Sequence, residues 1–127
     1  LAGHFIAETF GSGIQHLAFR TGDIFATAEA LRRNGFVPLT ISPNYYDDVE
    51  VRFGLDPALV DDLKRSNILY DRDEHGEYFQ LYSPTYGEGF FFEIVERRGY
   101  QGYGAANAIF RIAALRRYLR PDGMPST

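Results

Sequence analysis

Three polar residues, His16, Gln80 and Glu93, lie inside short apolar or aromatic segments. An unpaired buried charge costs on the order of several kcal/mol, so a fold keeps one only where it is paired, exposed or bound to a metal. Imidazole and carboxylate groups are the donors with which iron(II) enzymes often hold their metal, leaving positions open for substrate and oxygen. These residue types therefore indicate a divalent-metal site, with a hydrogen-bonded His–Glu pair as the alternative.

Strand alternation predicts which side chains share a face with these polar groups. The neighbours on the same face are Ile14 and Ala18 for His16, Tyr78 and Tyr82 for Gln80, and Phe91 and Val95 for Glu93. If the three strands are adjacent in one sheet, the imidazole, the amide and the carboxylate form the floor of a single cavity. His4 and His75 lie in a lead-in and a turn, where solvated side chains are expected.

The elements that must position these groups follow from hydrophobic periodicity and turn residues. In chain order the pattern predicts a strand (13–19), an amphipathic helix ending near Gly35, a strand (36–41), two short helices, a hairpin whose turn is at 74–76, a strand from Gly89 and a closing helix. This α+β order contains a βαβββ unit with a helical insert and a C-terminal helix. Such a half-barrel module has an open concave sheet and normally pairs with a second copy. The predicted divisions are a lead-in (1–12), the module (13–104) and a C-terminal helix and tail (105–127).

Composition narrows the class of protein. The chain has 127 residues and a net charge of −4, which argues against a general nucleic-acid surface. It has no cysteine, so any metal must be held by histidine or by oxygen and amide donors. The sequence contains no apolar run of membrane-spanning length and no signal peptide, so a cytoplasmic location without membrane partners is expected. Because the chain begins at Leu1, we expect it to be a piece of a longer protein.

Four segments carry a resemblance to a known family: "GIQHLAF", "ILYDRDEHGEYFQLYSP", "FFFEIVERRGYQGYGAAN" and the helix that follows. They closely resemble the final module of the 4-hydroxyphenylpyruvate dioxygenases, in the vicinal oxygen chelate superfamily of glyoxalase, bleomycin-resistance and dioxygenase type. The resemblance implies that His16 and Glu93 bind iron(II) or another divalent metal. It also implies that Gln80 is catalytic and touches the substrate, and that Tyr103, where the family usually has Phe, and Asn107 bind the substrate.

The same resemblance implies an oxidoreductase that uses an aromatic α-keto acid and oxygen. The family's first histidine ligand lies in a preceding module, which this chain does not contain. The isolated chain should therefore be nearly inactive, unless a homodimer supplies the missing part. Ala108 stands where the dioxygenases carry a second substrate-packing Phe, which weakens the aromatic clamp.

An alternative parent is suggested by "RRGYQGYGAANA", which also looks like bacterial fusions in which a dioxygenase-like region follows a 3-dehydroshikimate dehydratase barrel, a lyase. In that case the chain would be a non-catalytic regulatory or structural domain. A third interpretation is that Glu93 only pairs with an arginine.

Overall fold

A computed structural model describes residues 5–9, 15–87, 89–102 and 104–118. The elements in chain order are β1 (Phe5–Thr9), β2 (Gln15–Arg20), α1 (Ile24–Arg33), α2 (Pro43–Phe53), α3 (Pro57–Arg65), β3 (Leu69–Asp73), β4 (Gly76–Tyr82), β5 (Phe90–Arg98) and α4 (Ala105–Tyr118). All five strands belong to one sheet in the order β1-β2-β5-β4-β3. The central pair, β2 and β5, is parallel, whereas the other neighbours are antiparallel.

The strands and helices confirm the predicted α+β class. A βαβββ unit is formed by β2, α1, β3, β4 and β5, with α2 and α3 inserted before β3 and with α4 following. The parallel pairing of β2 with β5 brings the two ends of this unit together at the middle of the sheet. In the part of the chain that the structure describes, no helix is long and apolar enough to cross a membrane.

Two local features differ from the sequence-based prediction. The strand predicted at 36–41 is wrong: this segment has no regular secondary structure and pairs with no strand of the sheet. Leu39 donates one backbone hydrogen bond to the Tyr82 carbonyl, and Pro38 has no N–H to continue the pattern. Within the predicted lead-in, residues 5–9 form strand β1, which pairs with β2 along the sheet edge.

Helices α1, α2 and α3 begin after residues whose side chains satisfy free backbone N–H groups. Asp23, Ser42 and Asp56 each accept a hydrogen bond from the first turn of the helix that follows. At the start of α1 the Ile24 N–H also donates to the buried carboxylate of Glu96 at 2.8 Å. Because Glu96 lies on β5, this hydrogen bond ties α1 to the centre of the sheet.

Each face of the sheet is covered by different helices. On one face, Phe79 of β4 contacts Phe25 of α1 at 5.8 Å between ring centroids. On the other face, Gln80 receives a hydrogen bond from Asn107 of α4. Alternation along β4 therefore assigns its odd-numbered residues to the α1 side and its even-numbered residues to the α4 side. The candidate polar groups belong to the α4 side.

Two adjacent buried tyrosines of α2 give a matched test of this packing. The Tyr45 hydroxyl accepts from the Tyr70 N–H at 2.6 Å and lies 2.8 Å from Asn107 Oδ1. The Tyr46 hydroxyl is buried with no hydrogen-bond partner among the described residues. Tyr45→Phe should therefore lower the free energy of unfolding by about 1–3 kcal/mol, whereas Tyr46→Phe should leave it unchanged or raise it. Urea unfolding of the two variants checks this prediction, and equal losses would contradict it.

Stability should also fall at alkaline pH. Burial raises the pKa of Tyr45, Tyr46, Tyr78 and Tyr82 above the ordinary value of 10.0. The unfolded chain loses these protons as pH passes 10 while the folded chain keeps them, so each such tyrosine is expected to cost about 1.4 kcal/mol per pH unit above that point. Urea midpoints between pH 8 and pH 11 should show this slope, and Tyr46→Phe should reduce it. A slope that is the same in the variant would argue against the assignment.

Candidate functional site

Sheet register brings the three predicted polar residues onto neighbouring strands. In the β2–β5 pair, His16 lies opposite Phe91 and Ala18 opposite Glu93. In the β4–β5 pair, Gln80 lies opposite Val95 and Tyr82 opposite Glu93. Since β5 runs between β2 and β4, Glu93 is flanked by the histidine on one side and by the glutamine on the other.

The contacts among these residues are short and buried. His16 Nε2 lies 2.6 Å from Glu93 Oε1. On its other side, Gln80 Nε2 donates to Glu93 Oε2 at 3.2 Å. The exposed fractions are 7% for His16, 2% for Gln80 and 6% for Glu93, so this carboxylate is held almost entirely by protein groups. No arginine among the described residues forms an ion pair with Glu93, which argues against the simple Glu–Arg interpretation.

A second set of hydrogen bonds fixes the orientation of Gln80. Asn107 Nδ2 donates to Gln80 Oε1 at 2.7 Å, while Gln80 Nε2 also donates to the Tyr82 hydroxyl at 2.9 Å. Asn107 is fully buried and reaches the Tyr45 hydroxyl with its own carbonyl oxygen. The amide oxygen of Gln80 therefore accepts a hydrogen bond from α4, and its amide nitrogen donates one to Glu93. This chain of contacts connects α2, α4, β4 and β5.

Aromatic side chains form the walls around this polar floor. The Phe91 ring stacks on the His16 imidazole with centroids 4.6 Å apart and 15° between planes. Tyr82 approaches Phe91 at 6.4 Å between centroids. Burial first, and then the charge of Glu93, raises the pKa of both Tyr78 and Tyr82, so these phenols are neutral at physiological pH. The walls therefore present neutral rings and hydroxyl groups.

The glycine-rich segment before α4 passes very close to the site. Gly104 has a φ of +67°, and a Cβ there would lie 2.6 Å from Gln80 Oε1 and 2.9 Å from a Tyr78 ring carbon. The Gly104 N–H donates to the Tyr100 hydroxyl at 3.0 Å, and that hydroxyl donates to Asp71. Only glycine allows the backbone to come this near the cavity floor.

The structure therefore brings His16, Gln80, Glu93 and Asn107 together. Tyr103 and His4 lie outside the described residues. His75 is exposed on the β3–β4 turn, where its Nε2 lies 3.3 Å from Glu74 Oε1. Within the described ranges, no group of three or more His, Cys, Asp or Glu residues could hold a metal ion. The donors that this chain brings together there are the nitrogen of His16 and the oxygen of Glu93.

Sequence reasoning missed Arg111, which also contacts the aromatic rings of this site. Its guanidinium carbon lies 3.6 Å from the centroid of the Phe91 ring. The signal was available in the sequence, since Arg111 follows Asn107 by four residues in a predicted helix and must share its face.

Comparison with known proteins finds relatives over most of the chain, although no family model matches. A 3-dehydroshikimate dehydratase of Pseudomonas aeruginosa is 47% identical over 107 residues, covering 83% of this chain and 17% of that protein. A 4-hydroxyphenylpyruvate dioxygenase of the same organism is 37% identical over 105 residues, covering 81% of this chain and 29% of that enzyme. The chain thus spans less than a third of the length of these relatives.

Two solved structures share the fold. A xylose isomerase-like TIM barrel/4-hydroxyphenylpyruvate dioxygenase fusion protein matches with a TM-score of 0.76 and 44% identity over 80% of this chain and 17% of its own. A mutant of 4-hydroxymandelate synthase from Streptomyces coelicolor matches with a TM-score of 0.71 and 30% identity over 83% of this chain and 30% of its own.

The βαβββ sheet, with its polar cavity floor, is a module of the vicinal oxygen chelate fold. Within that fold the resemblance predicted from the sequence is confirmed: the chain is a 4-hydroxyphenylpyruvate dioxygenase-like module, similar to part of those dioxygenases, to part of 3-dehydroshikimate dehydratases and to part of a TIM barrel/dioxygenase fusion protein.

Proposed function

We propose that this module binds a divalent metal ion, preferably iron(II), through His16 and Glu93. The observation that supports the proposal is the buried 2.6 Å contact between His16 Nε2 and Glu93 Oε1. An imidazole nitrogen and a carboxylate oxygen on one cavity floor are donors of the type that non-haem iron accepts. Gln80 holds the second oxygen of Glu93, as residues around a metal ligand usually do.

Two donors are too few for a tight site. A third ligand would come from another part of the full-length protein, such as a preceding module, or from a second copy of the chain. Iron bound there would supply oxygen activation for the oxidation of an α-keto acid. The residues of this chain would orient the acid, exclude water from the cavity and keep the Glu93 carboxylate aimed at His16. Aromatic α-keto acids are the substrate class that these walls and the dioxygenase relatives favour.

Gln80 is proposed to contact the substrate as well as to orient Glu93. Asn107 stays a predicted substrate-binding residue, but its described contacts assign it first to positioning Gln80. Tyr103 completes the proposed substrate contacts from the glycine-rich segment.

A second candidate function is an accessory domain of a 3-dehydroshikimate dehydratase. It is favoured by the sequence identities: the dehydratases of Pseudomonas aeruginosa and Pseudomonas putida are 47% and 44% identical to this chain, whereas the dioxygenase of Pseudomonas aeruginosa is 37% identical. It is also favoured by Ala108, an exposed small residue on α4 that cannot close a cavity as a ring would.

Oxygen uptake by the full-length protein distinguishes the two functions. The iron(II)-reconstituted protein would be offered 4-hydroxyphenylpyruvate and then 3-dehydroshikimate, with Glu93→Gln as the matched variant. Uptake with the first substrate that is lost in the variant would support a dioxygenase. Dehydration of the second substrate without oxygen uptake, and unchanged in the variant, would assign this module the accessory role.

A further inference from the structure

Arg111 lies on α4 beside the aromatic rings that surround the polar residues of the sheet. Its guanidinium carbon is 3.6 Å from the Phe91 ring centroid and 5.5 Å from that of Tyr82. Phe91 in turn stacks on His16, and Tyr82 accepts a hydrogen bond from Gln80. The cation is therefore next to the rings that enclose His16, Gln80 and Glu93.

The hydrogen-bonding capacity of Arg111 is largely unused. Its Nε is buried and has no hydrogen-bond partner among the described residues, and its one described hydrogen bond, from Nη2 to Thr85 Oγ1, is 3.5 Å long. Other arginines differ in this respect, since Arg32 and Arg98 each have a carboxylate within 2.7 Å.

The surroundings of Arg111 also favour an added negative charge. Desolvation by burial lowers the pKa of its guanidinium, and the charge of Glu93 offsets this only in part. Among the described residues no carboxylate pairs with Arg111; such a partly buried cation is costly, and an anionic ligand would lower that cost. Glu93 itself is engaged with His16 and Gln80 and forms no ion pair with this arginine.

We infer that Arg111 is the anion-recognition residue of the cavity and holds the carboxylate of a planar organic acid. A guanidinium offers a fork of N–H donors that matches the two oxygens of a carboxylate, and the flat ring walls select a planar ligand. The inference rests on the proposed function in placing that ligand beside His16 and Glu93. Arg111, on α4, would then select ligands that carry a carboxylate, while the proposed metal ligands lie on the sheet.

The test compares benzoate with benzamide, its uncharged analogue of similar shape, by calorimetric titration of the full-length protein. The variants are Arg111→Leu, which keeps an apolar contact with Phe91, and Arg111→Lys, which keeps the charge without the fork. Arg116→Leu is the control, because Arg116 is exposed on the same helix. Mn(II) binding is measured on the same samples by electron paramagnetic resonance, so that the metal proposal is followed separately.

The expected result is that wild-type protein prefers benzoate to benzamide by about tenfold or more, as the loss of one charge-assisted pair implies. Arg111→Leu should lose that preference, Arg111→Lys should keep part of it, and Arg116→Leu should keep all of it, with Mn(II) binding unchanged in the three. Equal binding of the two probes by wild type, no benzoate binding, or a preference that survives Arg111→Leu would overturn the inference. If Mn(II) does not bind but benzoate still depends on Arg111, the metal proposal fails and the anion site stands.

Discussion

Glu93→Gln is expected to weaken the affinity of the full-length protein for iron(II) or Mn(II) by about 100-fold or more, because even residues around a ligand change metal affinity about 10–100-fold. Glutamine has nearly the same shape, so the sheet and the contact with Gln80 should persist. What is lost is the negative charge and one strong oxygen donor beside His16. Competition with a coloured chelator measures the change in affinity, and circular dichroism verifies that the variant is folded.

Glu96→Gln is the matched control for this experiment. Glu96 is also a buried carboxylate of β5, with 5% exposure, but it lies on the opposite face of the sheet. There it accepts from the Ile24 N–H and pairs with Arg98 at 2.6 Å. Its replacement should lower stability and leave metal affinity unchanged. If both variants bind metal as wild type does, the contact between His16 and Glu93 has a structural role only.

The second large effect is expected at Gly76, the first residue of β4. A Cβ on Gly76 would lie 1.8 Å from the Arg98 carbonyl oxygen and 2.8 Å from the Arg98 carbonyl carbon, both of which are backbone atoms of β5. Backbone in a central strand cannot move aside as a flexible side chain can. Gly76→Ala should therefore force β4 away from β5 and lower the free energy of unfolding by about 3 kcal/mol or more.

Gly22→Ala is the control for Gly76→Ala, because a Cβ at Gly22 meets no atom within 4 Å and the φ angle there is not in the left-handed region. It should change the urea midpoint very little. Because Gln80 is on the same strand as Gly76, the Gly76→Ala variant should also bind metal less tightly. A Gly76→Ala protein as stable as the Gly22→Ala protein would show that β4 and β5 do not approach as closely as described.

The sequence by itself determined the composition of the cavity floor. Alternation along a strand has a fixed period of two, so the faces of His16, Gln80 and Glu93 followed once the strands were recognised. Apart from the strand wrongly predicted at 36–41 and the unpredicted strand β1, the order of helices and strands likewise followed from local periodicity and capping residues. The motif around Glu93 indicated the family. Each of these features depends on residues that are close together in the chain.

Only the tertiary structure decided which elements pack against that floor. The link from Asn107 to Tyr45 spans 62 positions in the chain and the link from Asn107 to Gln80 spans 27, and no local pattern encodes either. The same is true of the approach of Gly76 to Arg98. The segment at 36–41 shows the reverse case, since its strand-like sequence forms no strand and Pro38 lacks an N–H donor. Local sequence specifies which way a side chain faces. The residues that it contacts are set by the packing of distant elements, which the burial of apolar surface stabilises.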